Sequence, residues 1–98
     1  MTVEILRYAI PAAEAEAFIA DYRAAMVPLM ASPHARAFEL CQCDEEPGRF
    51  LLCIDWTSAE DHLQQFRGSA EFRAFFAHIR RWVPQIEEMR HYTRRLSA

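Results

Sequence analysis

A buried strand that leads directly into a helix is the feature that most constrains how this chain can fold. Residues 49–56 read RFLLCIDW, an apolar run typical of a strand, and the run ends on Trp56. The residues that follow match a capping box, in which the side chains of Thr57 and Glu60 each accept a hydrogen bond from the other residue's backbone amide. A tryptophan at such a junction predicts an aromatic wall between a sheet and its helices.

Two helical segments are predicted from the spacing of apolar residues. The helix that opens at the capping box runs to about Arg67, and Gly68 and Ser69 end it and cap its continuation. The apolar stripe of that continuation is Phe72, Phe75, Phe76, Ile79 and Val83. An earlier helix is predicted from Ala12 to about Ala31, and its buried stripe is Phe18, Tyr22, Met26 and Leu29.

Three further strands complete the pattern: Val3–Ile10, Arg36–Cys43 and Glu88–Leu96. The order β-α-β-β-α-β predicts an α+β, ferredoxin-like fold, in which a four-stranded antiparallel sheet carries two helices on one face. The third strand is apolar on both faces, yet two helices cover only one of them. A homodimer that packs one sheet against another is therefore predicted.

Composition limits the function classes. The 98 residues, 52% of them hydrophobic, predict one domain over 1–98. No apolar run approaches the roughly 20 residues that span a membrane, and the N-terminus lacks the pattern of a signal peptide, so a cytoplasmic location is expected. A net charge of −3 argues against nucleic acid as a partner. The arginines of the C-terminal third are interpreted as a solvated surface.

Metal-binding and redox motifs are absent from the sequence. Cys41, Cys43 and Cys53 lack the C-x-x-C spacing of zinc and redox sites, and are interpreted as small buried hydrophobic side chains in a reducing compartment. The histidines lack i,i+4 spacing, and the two glycines form no phosphate loop. We therefore predict no metal and no cofactor.

The aromatic residues predict a pocket for a small planar ligand. Trp56 is its central candidate, and the candidate substrate-binding walls are Tyr8, Phe66, Phe72 and Phe76. The alternative is that these rings are only core. His62 is the candidate catalytic base, because it is the nearest imidazole to Trp56 in sequence and titrates near neutral pH. The alternative is an exposed histidine on the first turns of a helix.

A second set of polar residues is predicted on one sheet face. Strand alternation predicts that His91 shares a sheet face with Arg7, and the same set is extended to Glu39 and Asp55. A dimer contact, a buried polar network and a proton relay remain open for this set.

The order of elements, the strand that closes on Trp56 and the sequence WTSAEDH…FRGSAEF…F resemble the antibiotic biosynthesis monooxygenase family. The resemblance covers Val3 to Leu96 and implies a dimeric α/β barrel. The family includes cofactor-free oxygenases of aromatic polyketides, haem-degrading oxygenases and small-molecule isomerases. Choosing among these activities depends on individual residues.

Some of the family's functional residues match this sequence and others do not. Trp56 corresponds to the tryptophan of the polyketide oxygenases, whereas Leu52 stands where they carry an asparagine. His62 stands where they carry a tyrosine, and their arginine in the following helix falls near the position of Phe76. In the haem-degrading members a tryptophan corresponds to Phe66 and the haem-ligating histidine to Phe76. Since the chain has no asparagine, their Asn-Trp-His set cannot be assembled, which argues against haem degradation.

Two hypotheses from different classes follow from the resemblance. The first is a cofactor-independent monooxygenase that uses molecular oxygen on a small phenolic or quinone-like aromatic, with Trp56 and His62 as catalytic residues. The second is a non-catalytic dimeric module that binds a small ligand or serves as a scaffold. An isomerase of a small phosphorylated, sugar-like molecule is a third hypothesis, and it ranks below the other two because the sequence shows no clear phosphate site.

Overall fold

A computed structural model of the chain describes residues 2–98. Four strands alternate with helices along the sequence: β1 Thr2–Ala9, α1 Ala15–Met30, β2 Ala35–Gln42, β3 Arg49–Trp56, α2 Ala70–Ile79 and β4 Ile86–Thr93. Short 3-10 helices precede α1, at Ala12–Glu14, and follow α2, at Arg80–Gln85. A π-helical turn at Asp61–Phe66 joins β3 to α2.

The strands form one antiparallel sheet in the order β2-β3-β1-β4. This is the predicted ferredoxin-like α+β fold. The predicted bounds of β3 are confirmed, and those of the other strands differ by one to three residues at their ends. The fold places the central strands β1 and β3 side by side, so one face of both strands lies beneath the helices.

The core lies between this covered face and the helices. Along β3 the even-numbered residues from Phe50 to Trp56 are buried, because successive side chains of a strand point to opposite faces. Phe18, Tyr22 and Leu29 of α1 are fully buried, as predicted. Met26 was predicted in the same stripe but is 38% exposed. Ala25, one position earlier, is fully buried instead, because at about 100° per residue it lies closer than Met26 to the helix face of Phe18 and Leu29.

The start of the π-helical turn also differs from the prediction. Ser58, not Thr57, caps it: Ser58 Oγ accepts a hydrogen bond from the Asp61 amide at 2.9 Å. Thr57 instead donates its hydroxyl to the Asp61 carboxylate at 2.5 Å. The predicted Thr57–Glu60 capping box is therefore wrong by one position. The second cap is confirmed, since Ser69 Oγ accepts from the amide of Phe72 at 3.2 Å.

The other face of the sheet has no helix over it within residues 2–98. Ile5, Leu51 and Cys53 lie half-buried on this open face, between charged side chains at its edges. Cys41 shares the face, because it pairs with Leu51 in the sheet register. All three cysteines are free, but Cys41 is exposed and Cys43 and Cys53 are only partly buried. The prediction of buried cysteines is therefore wrong, because Cys41 and Cys53 lie on this open face. In the same part of the chain, no helix is long and apolar enough to cross a membrane.

Candidate functional site

The covered face of the sheet encloses a cavity of about 260 Å³ beneath the π-helical turn and α2. Its walls are mostly apolar and aromatic. The six side chains that the sequence put forward as catalytic or substrate-binding residues all line it: Tyr8, Trp56, His62, Phe66, Phe72 and Phe76. The structure thus gathers these six residues around one mostly apolar space.

Trp56 organises the polar end of the cavity. The indole is completely buried, and its Nε1–H donates to Glu4 Oε1 at 3.0 Å. Its ring stacks on the imidazole of His62, with centroids 4.3 Å apart and planes 13° from parallel. Glu4 and His62 are themselves buried, at 3% and 4% exposure. One tryptophan therefore holds a carboxylate at its edge and an imidazole against its face.

His62 bonds in turn to His91 on β4. Its Nδ1 lies 2.8 Å from His91 Nε2, and its Nε2 lies 3.6 Å from Glu4 Oε1. A neutral imidazole carries one N–H and one acceptor nitrogen, so two tautomers satisfy the bond. In one of them His62 donates Nδ1–H to His91, which leaves Nε2 as a free acceptor on the Glu4 side. The exposed-histidine alternative for His62 is thus excluded by its burial.

Burial shifts the pKa values of Glu4 and His62 in the directions that favour their uncharged forms. Desolvation raises the pKa of Glu4 from 4.5 to about 7, against the opposing effects of the Trp56 hydrogen bond and the Arg67 charge. Desolvation lowers the pKa of His62 from 6.5 to about 3, with smaller contributions from Arg67 and His91. The imidazole is therefore neutral at pH 7. Although Glu4 and His62 lie within ion-pair distance, they do not form a charged pair.

The rest of the cavity wall is built from aromatic rings. Phe66 lies 4.8 Å from Trp56 and 5.5 Å from Phe72, centroid to centroid, and Phe72 stacks on Phe76 at 5.4 Å. On the opposite side the hydroxyls of Tyr8 and Tyr22 share a short hydrogen bond. Burial raises the pKa of Tyr8 to about 12, so this pair stays protonated at neutral pH and takes no substrate proton.

The opening of the cavity is marked by those lining residues that are exposed. Arg67, Val83 and Met89 are exposed, and Phe72 and Phe76 are half-buried. Val83 was predicted to belong to the buried stripe, but the chain leaves α2 for a 3-10 helix after Ile79, which changes the helical spacing. The cavity therefore opens between the end of the π-helical turn, the 3-10 helix and β4.

Glu4, His62 and His91 offer one carboxylate oxygen and two imidazole nitrogens within 4.8 Å of one another. Transition metals accept such a combination of donors. Here, however, His62 Nδ1 is bonded to His91 Nε2, and Glu4 Oε1 accepts from Trp56. These two bonds engage His62 Nδ1, His91 Nε2 and Glu4 Oε1, so a metal could bind at those three atoms only after the bonds were broken.

The second predicted polar set is only partly brought together. Arg7, Glu39 and Asp55 do line one groove on the open face of the sheet, where Arg7 pairs with Glu88 and Asp55 with Arg94. His91 does not share that face. Its Cα pairs with Glu4 across β1 and β4, so its side chain lies on the covered face. The predicted grouping of His91 with Arg7 is therefore wrong.

Sequence reasoning missed two charged residues that line the cavity, Glu4 and Arg67. Glu4 alternates with Leu6 and Tyr8 along β1, and a carboxylate on the apolar face of a strand was the available signal. Arg67 gave no signal, because in a regular α-helix it would lie about 140° around the axis from His62. The π-helical turn brings it to the cavity.

Comparisons with known proteins place the chain in a family. It matches the model of the family described as antibiotic biosynthesis monooxygenase over residues 1–78. A curated relative, the uncharacterized protein YczJ of Bacillus subtilis (strain 168), is 34% identical over 53 residues, which cover 54% of this chain and 56% of the relative. The match thus spans little more than half of that relative's length.

Solved structures agree with the family match at the level of the fold. A candidate antibiotic biosynthesis monooxygenase from Bordetella bronchiseptica is 22% identical, with a TM-score of 0.79 and 97% of both chains covered. The Rv0793 protein of Mycobacterium tuberculosis is 17% identical, with a TM-score of 0.75, over 99% of this chain and 97% of the other. Since the family model also matches most of the sequence, the chain belongs to the antibiotic biosynthesis monooxygenase family.

Proposed function

We propose that this protein is a cofactor-independent monooxygenase acting on a small phenolic or quinone-like aromatic substrate. One observation carries the proposal: a buried carboxylate, Glu4, and an uncharged imidazole, His62, meet against the indole of Trp56 at the end of an apolar cavity. A substrate of this class reacts with oxygen after it has lost a proton in a site that excludes water. The cavity offers both a proton acceptor and apolar walls.

Glu4 and His62 act as one proton acceptor in this proposal. Their Oε1 and Nε2 atoms are 3.6 Å apart and both residues line the cavity. The pKa of Glu4, raised by burial to about 7, lies near the operating pH, as a general base requires. The neutral imidazole of His62 relays the proton, and its bond to His91 fixes the ring. Trp56 positions both groups.

The reaction needs no oxidant other than O₂. For a phenolic substrate with an activated ring methylene, loss of a proton to the Glu4–His62 pair leaves a carbanion. The carbanion forms a C–O bond to O₂, and the resulting peroxide anion takes the proton back as a hydroperoxide. Loss of the second C–H proton breaks the O–O bond, so that one oxygen atom becomes the product carbonyl and the other leaves as water.

The aromatic walls bind the substrate ring. Phe66, Phe72 and Phe76 are arranged in edge-to-face and stacked pairs that a planar ligand can extend, and Tyr8 lines the opposite side. The exposed edge of this wall lies at the opening, where the ring would enter. These four residues contribute binding and exclude water; none of them takes part in proton transfer.

A binding module without catalysis is the second candidate. It is favoured by Leu52 and Phe76, which line the cavity where the related polyketide oxygenases carry an asparagine and an arginine. Glu4 and His62 would then serve only as a buried polar network. Tight binding of an aromatic compound without oxygen uptake would select this reading.

The open face of the sheet is proposed as the surface of a homodimer. Ile5, Leu51 and Cys53 give it an apolar centre, and the charged rim, which includes Arg7 and Asp55, suits pairing with a second copy. Sedimentation at micromolar concentration should give a dimer mass for the wild type and a monomer mass for Leu51→Arg. A monomer mass for the wild type would contradict this part of the proposal.

Oxygen consumption tests the activity. Purified protein, treated with a chelator and shown by elemental analysis to be free of transition metals, is mixed with anthrones, hydroquinones and flavonols. The proposal predicts protein-dependent oxygen uptake with at least one of them, lost in His62→Ala. His78→Ala, on the exposed side of α2, is the matched control and should keep full uptake. Uptake that His62→Ala leaves unchanged would contradict the assigned role.

A further inference from the structure

Arg67 is the one arginine among the residues that line the cavity in the described part of the chain. It is exposed, and the only neighbour of its guanidinium at bonding distance within residues 2–98 is the thioether of Met89, 4.0 Å from Nη2. Five other arginines are paired with carboxylates: Arg7, Arg49, Arg81, Arg90 and Arg94. Arg67 thus brings to the opening of an apolar cavity a positive charge that, within residues 2–98, forms no salt bridge with a carboxylate.

The backbone puts this charge there by an unusual turn. The amide of Arg67 donates to the carbonyl of His62 at 3.2 Å, a bond between residues five apart that characterises π-helical geometry. Residues five apart lie on nearly opposite sides of an α-helix, whereas the π-helical turn lets His62, Phe66 and Arg67 all border the same cavity. Short π-helical segments occur frequently at functional sites.

We propose that Arg67 is the recognition residue of the cavity, and that its ligand is a planar aromatic molecule bearing an anionic oxygen, either a ring carboxylate or an ionised ring hydroxyl. A guanidinium binds such groups by paired, charge-assisted hydrogen bonds. The aromatic rings of Phe66, Phe72 and Phe76 lie on the same cavity wall, so one ligand can contact both. The inference rests on the proposed function only in taking this cavity as the substrate site.

Recognition by Arg67 would also affect the proton acceptor. The positive charge of Arg67 contributes to the lowered pKa of His62 and of His91. An anionic ligand bound to the guanidinium offsets that charge. The ligand would therefore make His62 a better proton acceptor at the moment when it is needed.

Calorimetric titration at neutral pH and low salt tests the inference with two matched pairs of probes. The first pair is 2-naphthoate and the uncharged 2-naphthamide. The second is 2-hydroxy-1,4-naphthoquinone, which is ionised at neutral pH, and its uncharged methyl ether. The variants are Arg67→Gln and, as a matched control, Arg73→Gln, since Arg73 is exposed on α2 but does not line the cavity.

The wild type should bind the anion of at least one pair about tenfold more tightly than its neutral partner. Arg67→Gln should reduce that preference to within about twofold, and Arg73→Gln should keep it. The pair that shows the preference distinguishes a carboxylate from an ionised hydroxyl. An anion preference that survives in Arg67→Gln, no preference in either pair, or no binding of any of the four probes would overturn the inference. Because only affinity is measured, the result does not depend on oxygen uptake.

Discussion

The two tryptophans of this protein make the same hydrogen bond in different surroundings. Trp56 and Trp82 are both nearly inaccessible, and each donates its Nε1–H to a carboxylate: Trp56 to Glu4 at 3.0 Å and Trp82 to Asp21 at 2.8 Å. Asp21 is partly exposed and also accepts from Arg81, whose guanidinium lies 4.3 Å above the Trp82 ring. Glu4 is buried beside a neutral imidazole.

This difference distinguishes a contact that only stabilises the fold from one suited to the proposed proton transfer. The Asp21 carboxylate is partly exposed to solvent and has the Arg81 guanidinium beside it. The Glu4 carboxylate has lost its water and has no cation in contact, which is why its pKa rises to about 7. A buried group that changes charge near neutral pH is suited to proton transfer. We infer that Trp82 serves stability and Trp56 serves the site.

Removing each carboxylate is the change with the largest expected effect. Glu4→Gln keeps an acceptor for the Trp56 N–H but cannot take a proton, so oxygen uptake with an accepted substrate should fall by about 100-fold to 10,000-fold. Asp21→Asn, the matched change, should leave uptake unchanged. Steady-state rates with the same substrate measure both. Equal losses in the two variants would break the distinction between the tryptophan sites.

The pH dependence of stability should reveal the same buried charge. The folded state holds the Glu4 proton up to about pH 7, whereas an unfolded chain releases it near pH 4.5, so the burial of Glu4 lowers stability as pH rises between these values. His62 acts in the opposite direction, because the unfolded imidazole binds a proton near pH 6.5 and the folded one only near pH 3.

Each of these two contributions can be removed separately. Relative to wild type, Glu4→Gln should gain stability as pH rises from 4.5 to 7, by roughly 3 kcal/mol. His62→Gln should gain relative to wild type as pH falls below 6.5. Denaturant unfolding at several pH values between 4 and 8 measures both. A constant difference between Glu4→Gln and wild type across this range would contradict the raised pKa.

Replacing each tryptophan by phenylalanine compares the two sites through a smaller expected effect, the loss of unfolding free energy. In Trp56→Phe, Glu4 loses its N–H donor while still buried, whereas in Trp82→Phe, Asp21 keeps water and Arg81. At pH 8, Trp56→Phe should therefore cost roughly 1–3 kcal/mol more of unfolding free energy than Trp82→Phe. The difference between the two losses of unfolding free energy should be smaller at pH 5, where Glu4 is protonated. Equal losses at both pH values would contradict the account.

The smallest effect is expected at Arg81. Its ion pair with Asp21 is largely exposed, and such pairs contribute less than about 1 kcal/mol. Arg81→Gln should lower the free energy of unfolding by no more than that, and the loss should shrink at high salt. A loss of several kcal/mol that does not depend on salt would mean that the Asp21 carboxylate needs the Arg81 cation, as a fully buried carboxylate would.

The fold followed from local patterns, and the errors came where local patterns compete. β3 could be bounded because its apolar run stops at a capping sequence, and the break at Gly68 and Ser69 carried both a helix stop and a cap. The predicted N-cap of the π-helical turn was wrong by one position, because Thr57 and Ser58 are both residue types that favour an N-cap.

The site could be predicted where its residues lie close together in the sequence, on one helix or at one strand–helix junction. Trp56 and His62 were found because they flank one junction, and the phenylalanines because they share a helical stripe. His91 was assigned to the wrong face because the register between β1 and β4 joins residues far apart in sequence, and a shift of one residue exchanges the faces. Arg67 was missed because nothing in the sequence indicates a π-helical turn.

The protonation state of Glu4 tests the central claim most directly. Infrared difference spectroscopy can follow the C=O stretch of its protonated carboxyl group in wild type, with Glu4→Gln to identify the band. The account predicts a band that disappears as pH rises, with a midpoint near 7, and that is missing from the variant. A carboxyl group that is already ionised at pH 5 would contradict the account, because Glu4 could then not serve as the proton acceptor.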